Sequence, residues 1–456
     1  MIETIKRIFS ISELRAKITF TLIMLCICRI GAYIPVPGIN SEAAIALFNS
    51  ATGGGQNLFQ LMDVFSGGAF GKMTIIALGV MPYISASIIM QLLVAIIPSL
   101  QRDVRENPDV GKKKVAKWTR LAALFLALVQ SSFLTKAVIT MNESAPGVIL
   151  PHVYDITLFS IPWLFYLTVM LTMTAGTLFL MWIGEQITEK GIGNGISLII
   201  TLNILSSFPS TLGRIISQLG LGSQDAGQLS FTSLILLSAV FVMIIIGTIL
   251  VIQGIRKIPL QYARRGIQNA NPQESNAHIP LKINYAGVIP VIFASTFLMF
   301  PATIVQMLGP DSWLSPLASI ISPGSYGYMG IYCVLIILIT FFWTSTQFKP
   351  DQIASDMKKN GAFIPGIRQG QPTQEFLEST MNKITLVGAL SLALIAILPQ
   401  LVSYFLGIDP SIANFFGGTS LLILVGVILD TMKQVESHLL MKRYDGFMKR
   451  GHLRLR

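Results

Sequence analysis

Charged residues are scarce in this sequence. Asp, Glu, Lys and Arg together make up 12% of its 456 residues and hydrophobic residues 52%, whereas ordinary soluble domains carry about 25% charged residues. The mean hydropathy is +0.65. The composition argues against a water-soluble globular protein and predicts one embedded in a lipid bilayer.

Residues that build redox, metal and nucleotide sites are also few. The chain has three cysteines and four histidines, and neither an H-E-x-x-H nor a G-x-x-x-x-G-K-[ST] spacing occurs. The glycine-rich stretch GIGNG at 191–195 is interpreted as a tight turn. No nucleophile, base and orienting group come together at a readable spacing. We therefore expect no metal site, no cofactor and no enzymatic activity.

Ten apolar windows are long enough for a membrane-spanning helix, which needs about 20 residues. The first has no A-x-A-like cleavage site after it and is interpreted as a retained helix. The predicted fold class is an all-α polytopic membrane protein with ten transmembrane helices. These windows, called spans 1 to 10, lie near 17–37, 75–97, 116–138, 156–183, 196–216, 231–252, 286–307, 328–347, 384–406 and 412–434.

The distribution of basic residues predicts the orientation of the chain. With the N-terminus inside, the cytoplasmic segments hold 29 of the 33 Lys and Arg residues, in agreement with the positive-inside rule. Both termini are therefore expected in the cytoplasm. Two basic cytoplasmic connections, loop 6/7 (253–284) and loop 8/9 (348–383), are much longer than most. They are either solvated loops or docking surfaces for an acidic partner or ribosomal RNA.

One motif occurs twice, in opposite directions across the membrane. The strings GVMPYISAS from Gly79 and GVIPVIFAS from Gly287 match at six of nine positions, and GISLII (195–200) resembles GTSLLI (418–423). The first pair relates span 2 to span 7, and the second relates span 5 to span 10. This pattern predicts two inverted, pseudo-symmetric halves of five helices, 1–220 and 221–434, followed by a basic cytoplasmic tail, 435–456.

The repeat places four isoleucines at equivalent positions, Ile84, Ile200, Ile292 and Ile423. Inverted repeats usually form their functional site near the bilayer midplane at the repeat interface, although four isoleucines can also be ordinary packing residues. Counted from the window starts, Ile84 and Ile423 lie roughly 15 Å into their helices. Ile200 and Ile292 are shallower, so the four converge only if spans 5 and 7 tilt or begin deeper.

Charges inside the spans are nearly absent, which disfavours an ion-coupled transporter. Arg29 is the exception and is expected at a helix interface or in a wet cavity. A passage with an apolar constriction, gated by dewetting, is favoured instead. The stretch NLFQLMDVFSGGAFGK (57–72) is too short to span the bilayer. It predicts a re-entrant helix near 57–74, followed by a flexible joint, that either stoppers the passage or forms a static cap.

Six motifs in order resemble the SecY family of protein-conducting channels. That resemblance implies a clamshell of ten helices in the bacterial cytoplasmic membrane, which translocates unfolded secretory polypeptides and releases transmembrane segments laterally into lipid. An inverted-repeat secondary transporter of a small solute is the alternative. The motifs are RIGAYIPVPGI (29–39), FSGGAFGKMTIIALGVMPYISASIIMQLL (65–93), GTLFLMWIGEQITEKGIGNGISLII (176–200), IPLKINYAGVIPVIFASTFLMFPATI (279–304), NGAFIPGIR (360–368) and FFGGTSLLI (415–423).

The resemblance also implies functional residues and partners. The expected partners are the SecE and SecG subunits, the SecA ATPase, the ribosome, signal sequences and nascent polypeptides, and the lipid bilayer. Two residues depart from the family pattern: Val80 is smaller than the usual isoleucine, and Gln369 replaces a proline. The implied residues are, for the pore ring, Val80, Ile84, Ile196, Ile200, Ile292 and Ile423; for the plug, Leu61, Met62, Phe65, Ser66, Gly67 and Gly68; for the lateral gate, Ser85, Gln130 and Asn284; and for SecA or ribosome docking, Lys257, Arg264, Arg265 and Arg368.

Overall fold

A helix coincides with each of the ten predicted spans. The computed structural model describes residues 11–52, 58–144, 147–150, 162–218, 231–262, 277–307, 320, 325–406 and 419–452. In chain order its helices are α1 (Ser12–Gly31), α2 (Ser41–Thr52), α3 (Leu58–Ser66), α4 (Met81–Ile96), α5 (Pro98–Glu106), α6 (Pro108–Ser144), α7 (Trp163–Lys190), α8 (Gly195–Ser206), α9 (Phe208–Gln218), α10 (Phe231–Gln253), α11 (Ile289–Met307), α12 (Tyr326–Gln347), α13 (Pro350–Lys359), α14 (Gln371–Leu406) and α15 (Thr419–His452).

Length and apolar composition qualify six helical segments of the described chain to cross a membrane by themselves. The bent pair α4–α5, which turns by 98° at Ile97, makes a seventh. Of the remaining spans, α1 carries four charged residues, α11 is apolar over a shorter stretch, and α15 is described only from Thr419 onward. The six segments are Pro108–Thr140, Trp163–Lys190, Gly195–Gly213, Leu234–Gln253, Tyr326–Lys359 and Gln371–Val402.

The helices pack as two halves related by the sequence repeat. In the first half, α6 packs against α4 and α7, and α7 packs against α1 and α8; in the second, α14 packs against α10 and α12. The main contacts between the halves join α4 to α11 and α8 to α15. These are the repeat mates, spans 2 and 7 and spans 5 and 10. Each of these helices therefore packs against its own counterpart in the other half.

Four short strands, which the helical prediction did not include, organise the two long basic loops. Within loop 6/7, β1 (Ile255–Pro259) pairs antiparallel with β3 (His278–Lys282), in a register that sets Lys257 opposite Pro280. From the same loop, β2 (Gln261–Tyr262) pairs with β4 (Ala362–Phe363) of loop 8/9. A small apolar core unites the loops, with Ile258, Leu281, Phe348, Met357, Ala362, Ile364, Leu377, Met381 and Ile384 buried in it.

Span 2 begins later than predicted. The window was placed at 75–97, but residues 75–80 form turns and α4 starts at Met81. The hydropathy of this stretch is that of a helix, whereas its backbone is set by the left-handed glycine at position 79. Hydropathy therefore overestimates the length of a helix where the adjoining buried turn also consists of apolar residues.

Candidate functional site

The fold gathers the six pore-ring candidates in one apolar cluster. Val80, Ile84, Ile200, Ile292 and Ile423 are at most 6% exposed, and the half-buried Ile196 packs against them. Val80 and Ile84 come from the start of α4, and the others come from α8, α11 and α15. Residues more than 300 positions apart in sequence thus share one buried cluster, and all six candidates have hydrocarbon side chains.

The two copies of the repeat have the same backbone. Gly79 and Gly287 both adopt left-handed conformations, with φ of 59° and 60°, which glycine reaches without a steric penalty. Two residues later α4 and α11 begin, each with a proline as its second residue, where the missing N–H costs nothing. Gly and Pro therefore start the two helices at equivalent repeat positions.

Equivalent helix starts place Ile84 and Ile292 equally far along their helices. Each is the fourth residue of its helix, about 5 Å along the axis. Its amide bonds the carbonyl four residues earlier, Ile84 N to Val80 O at 3.0 Å and Ile292 N to Val288 O at 3.3 Å. The prediction that Ile292 is shallower than Ile84 was wrong, because it counted from a helix start at residue 75.

A nine-residue helix, α3, lies where the sequence predicts a re-entrant helix. Phe65 belongs to the same apolar cluster as the ring candidates, and the half-buried Met62 packs against it. Ser66 is buried, and its hydroxyl accepts a hydrogen bond from Phe70 N at 3.0 Å. The side chain of Leu61 lies outside the described residues. The apolar face of α3 therefore covers the cluster, packing against α8 and α11.

The Ser-Gly-Gly sequence, predicted to form a flexible joint, follows α3 as a tight, hydrogen-bonded turn. Gly67 and Gly68 both have left-handed backbones, with φ of 71° and 82°. Asp63 holds the joint, because its backbone carbonyl accepts from Gly68 N at 2.9 Å and its carboxylate accepts from Gly71 N at 2.8 Å. The joint therefore reverses the chain in a defined conformation.

Arg29 lies at a helix interface and contacts this joint. Its guanidinium donates a hydrogen bond from Nη1 to the Gly67 carbonyl at 2.8 Å and lies 5.1 Å from the ring centre of Tyr33. From the other side, Asn203 of α8 donates from Nδ2 to the Phe65 carbonyl at 2.9 Å. The half-buried Arg29 side chain, the cation that the sequence places inside span 1, thus binds the backbone that follows α3.

Residues 67–80 cross the interior as non-helical backbone, which a bilayer tolerates only inside protein. Backbone hydrogen bonds join this segment to the chain that follows α1: Ile75 N donates to Ile34 O at 3.0 Å, and Val36 N donates to Met73 O at 3.1 Å. Gly176 of α7 makes room for this segment, since a Cβ there would collide with the carbonyl oxygen of Ile75. Sequence reasoning missed Gly176, which resembles any other glycine in a spanning helix.

Two of the four predicted docking residues are described in the basic loops, and both are exposed. Lys257 is exposed on β1, and Arg368 is exposed in the turn after β4, while Arg264 and Arg265 lie outside the described residues. The turn is held by Thr373, which donates to the Arg368 carbonyl at 2.7 Å. Gln369, the departure from proline, donates from Nε2 to the Ala362 carbonyl at 3.1 Å. Its side chain therefore ties down the loop that a proline ring would stiffen.

The comparisons with known proteins cover nearly the whole chain. The SecY family model matches residues 74–432. Protein translocase subunit SecY of Chlamydia trachomatis is 58% identical over 448 residues, covering 98% of both chains, and that of Aquifex aeolicus is 40% identical over 453 residues, covering 99% of this chain and 100% of its own. The chain belongs to the SecY family. The resemblance predicted from six motifs is confirmed.

Solved structures with the SecY fold confirm the fold class, an all-α membrane protein whose ten helices form a clamshell of two inverted halves. "The structure of a protein conducting channel" superposes with a TM-score of 0.62 at 18% identity, covering 93% of this chain and 92% of that one. "Sec61 in the Canine ribosome-channel complex from the endoplasmic reticulum" gives 0.60 at 17% identity, with the same coverage. At these identities the superpositions establish the fold alone.

The three lateral-gate candidates occupy different elements of this SecY fold. Ser85 lies on α4 and Gln130 on α6, both half-buried, and α4 packs against α6. Asn284 is buried in the turn before α11 and donates from Nδ2 to the Gly287 carbonyl at 2.7 Å. Within the described residues no hydrogen bond joins the three. Asn284 therefore shapes the left-handed turn of the repeat motif, a role that the sequence did not suggest.

A cavity lies beyond the C-terminal end of α4, between helices of the first half and helices of the second. It measures about 670 Å³ and is lined by Val94 of α4, Phe342 of α12 and Glu378 of α14, among others. Its wall mixes apolar side chains with carboxylates and amides. In this member of the SecY family, the first and second halves thus contact each other at the apolar cluster and both line this cavity near the α5 end of α4.

Proposed function

We propose that this chain is the channel subunit of a protein translocase in the bacterial cytoplasmic membrane. It carries unfolded polypeptides across the bilayer and releases apolar segments sideways into lipid. The relatives that match over the full length are named protein translocase subunit SecY. Both termini face the cytoplasm, as the Lys and Arg distribution indicates.

One observation carries this proposal: the apolar cluster at the interface of the halves is covered by the re-entrant helix α3. Isoleucine side chains have no hydrogen-bonding groups, so a narrow ring of them excludes water when it is empty. They also close around a moving chain without binding it. The pore ring is Val80, Ile84, Ile196, Ile200, Ile292 and Ile423, and α3 is its plug.

Lateral release follows from the helix pair at the interface. The halves touch through α4 and α11, and separating these helices opens the interior to lipid. A Leu-class residue gains about 0.3 to 0.6 kcal/mol at mid-membrane, and a charge costs about 2.5 to 3.5 kcal/mol. Ten apolar residues therefore favour exit by a few kcal/mol, and one or two central charges cancel it. Ser85, Gln130 and Asn284 are the proposed polar residues of this gate.

The basic loops are the proposed docking surface for the SecA ATPase and the ribosome. Loops 6/7 and 8/9 share a sheet and an apolar core, so a force on one is transmitted to the other. Lys257, Arg264, Arg265 and Arg368 supply the positive charge. A solved relative is described as Sec61 in a ribosome-channel complex, which supports the ribosome as partner. SecE and SecG complete the proposed complex.

A reversible lock across α4 and α11 tests the proposal. The three native cysteines, Cys26, Cys28 and Cys333, are replaced by serine, and a cysteine pair is introduced between α4 and α11. The protein is reconstituted in vesicles with the subunits that copurify, and passage of a secretory precursor is followed with SecA and ATP. A second pair between α4 and α6, which lie in the same half, is the control.

We expect export to stop on oxidation of the α4–α11 pair, to return on reduction, and to continue with the α4–α6 pair locked. Export that ignores the α4–α11 lock would place the moving gate elsewhere. A chain that supports no export under any condition would contradict the channel function and favour a transporter of a small solute.

A further inference from the structure

We propose that Arg29 and Asn203 form a polar latch that holds the plug closed and sets how strong a signal must be to open the channel. This inference rests on the proposed function, since it assigns a regulatory role to two residues of the same site. The latch consists of two side-chain donors, one from α1 and one from α8, on backbone carbonyls at the end of α3. Nothing in the motif analysis singled out Asn203.

The carbonyls at the C-terminal end of α3 are the groups that need partners. The last four carbonyls of any helix lack intrahelical donors, and Phe65 lies at that end while Gly67 immediately follows it. The Asn203 amide donates to the Phe65 carbonyl at 2.9 Å, and Asn203 itself is 5% exposed. The helix end is therefore satisfied by α8 only while α3 is docked.

Arg29 adds a charge to the same helix end. Its guanidinium donates to the Gly67 carbonyl at 2.8 Å, at the negative pole of the α3 dipole, where a cation is favourable. Hydrogen bonds to charged groups are stronger than neutral ones, more so where water is excluded. When the plug leaves, Arg29 loses this partner and keeps Tyr33. The cation thus favours the closed state specifically.

The joint is fitted closely to α8. A Cβ built on Gly67 would lie 2.8 Å from Ser206 Oγ and 3.0 Å from Asn203 Cα, and the latter contact is with backbone, which cannot move aside. The Ser206 hydroxyl lies 2.7 Å from the Asn203 carbonyl and 3.3 Å from that of Gly67. Because a hydroxyl has one proton and the Asn203 carbonyl is nearer, Ser206 acts mainly as the wall of the joint.

Gly68 provides a matched control for this fit. It has the same left-handed backbone as Gly67, but a Cβ at Gly68 would meet no atom within 4 Å. Alanine at either position introduces the same backbone strain. Only alanine at Gly67 also collides with α8. The difference between the two variants therefore reports docking of the plug and not the flexibility of the joint.

A thiol on the plug measures docking without reference to transport. Ser66, which is 2% exposed, is changed to cysteine in a chain whose native cysteines are serine, and the rate of its modification by a water-soluble maleimide is followed in the reconstituted complex. The rate is proportional to the undocked fraction when redocking is fast. Export of a precursor with a weakened signal sequence is measured in parallel, with the unaltered precursor as reference.

We expect Asn203→Leu to raise the modification rate about tenfold and Arg29→Met by about tenfold to a hundredfold, from the strength of the bonds removed. Lys72→Met is the charge control, because the Lys72 ammonium lies 4.3 Å from the ring centre of the same Tyr33. It should change the rate less than twofold. Gly67→Ala should exceed Gly68→Ala by at least tenfold, and the faster variants should export the weak precursor better.

Equal rates for Gly67→Ala and Gly68→Ala, or for Arg29→Met and Lys72→Met, would overturn the latch. The glycine pair keeps the test open if Arg29→Met does not fold, since neither alanine removes a buried polar group. Failure of the latch is distinct from failure of the channel function. If only the latch fails, the parent chain exports its reference precursor, and the variants and their controls have equal rates of thiol modification. If the channel function fails, the parent chain exports nothing.

Discussion

Replacing one ring isoleucine by asparagine should make the closed channel leak ions. Ile423 on α15 is fully buried, at 0% exposure, in the cluster at the interface of the halves. In Ile423→Asn, the apolar burial that is lost is worth about 1.5 to 3 kcal/mol. An amide left without a partner in a dry environment costs a further 1 to 3 kcal/mol, approximately.

Both terms favour the hydrated ring over the dry one. Their sum is about 2.5 kcal/mol at the low end, and at about 1.4 kcal/mol per factor of ten it multiplies the hydrated fraction roughly sixtyfold. The assay is the resting conductance of planar bilayers that contain the purified complex, without SecA, ribosome or precursor. We expect frequent openings in Ile423→Asn and an almost silent parent channel.

Two controls separate wetting from damage to the fold. Ile423→Val removes one methylene, at a cost of about 0.5 to 1.5 kcal/mol, and keeps the ring apolar, so it should remain closed. Leu377→Asn places the same amide at an equally buried position in the core of the basic loops. It should lower the thermal stability without adding conductance. A folded Ile423→Asn channel as silent as the parent would refute the apolar seal.

Two further predictions concern docking and packing. Arg368→Glu should impair SecA-driven export more than ribosome-dependent insertion. The control Gln369→Ala, which loosens the same loop without a change of charge, should impair both processes slightly. Equal loss of export and insertion in Arg368→Glu would indicate misfolding. Gly176→Ala should lower the thermal unfolding temperature, because the added Cβ would collide with the Ile75 carbonyl. The control Gly213→Ala places its Cβ in open space and should stabilise its helix by about 0.5 to 1 kcal/mol. Opposite or equal shifts, measured calorimetrically, would contradict the packing argument.

Much of the architecture could be predicted from the sequence because it depends on periodic or repeated signals. Apolar runs of membrane length indicated the helices, and the matched strings from Gly79 and Gly287 indicated the two inverted halves. The short stretch before span 2 predicted a short helix that does not span the bilayer, and the structure has a helix there, Leu58–Ser66. Each of these signals is local, or compares two local strings, so no tertiary contact is needed to read it.

The details of the interface could not be predicted in the same way. The start of α4 was misplaced because buried turns and spanning helices are equally apolar. The four strands of the basic loops were missed because they are short, with two residues each in β2 and β4 and five each in β1 and β3. Asn284 was assigned to the gate from resemblance, yet its only described hydrogen bond shapes the turn of the repeat. Hydropathy does not predict which backbone group a polar side chain will hydrogen-bond.

By itself, the sequence determined that this chain lies in a membrane, that its two halves are inverted and that four isoleucines are equivalent, since composition and internal repetition suffice for all three. Only the tertiary structure decided that these isoleucines share one apolar cluster, that α3 packs against it, and that Arg29 and Asn203 bind the end of α3 across 38 and 138 residues of sequence. The physical reason is that every residue has a backbone carbonyl, so the type of the accepting residue does not reveal which side chain will bind it.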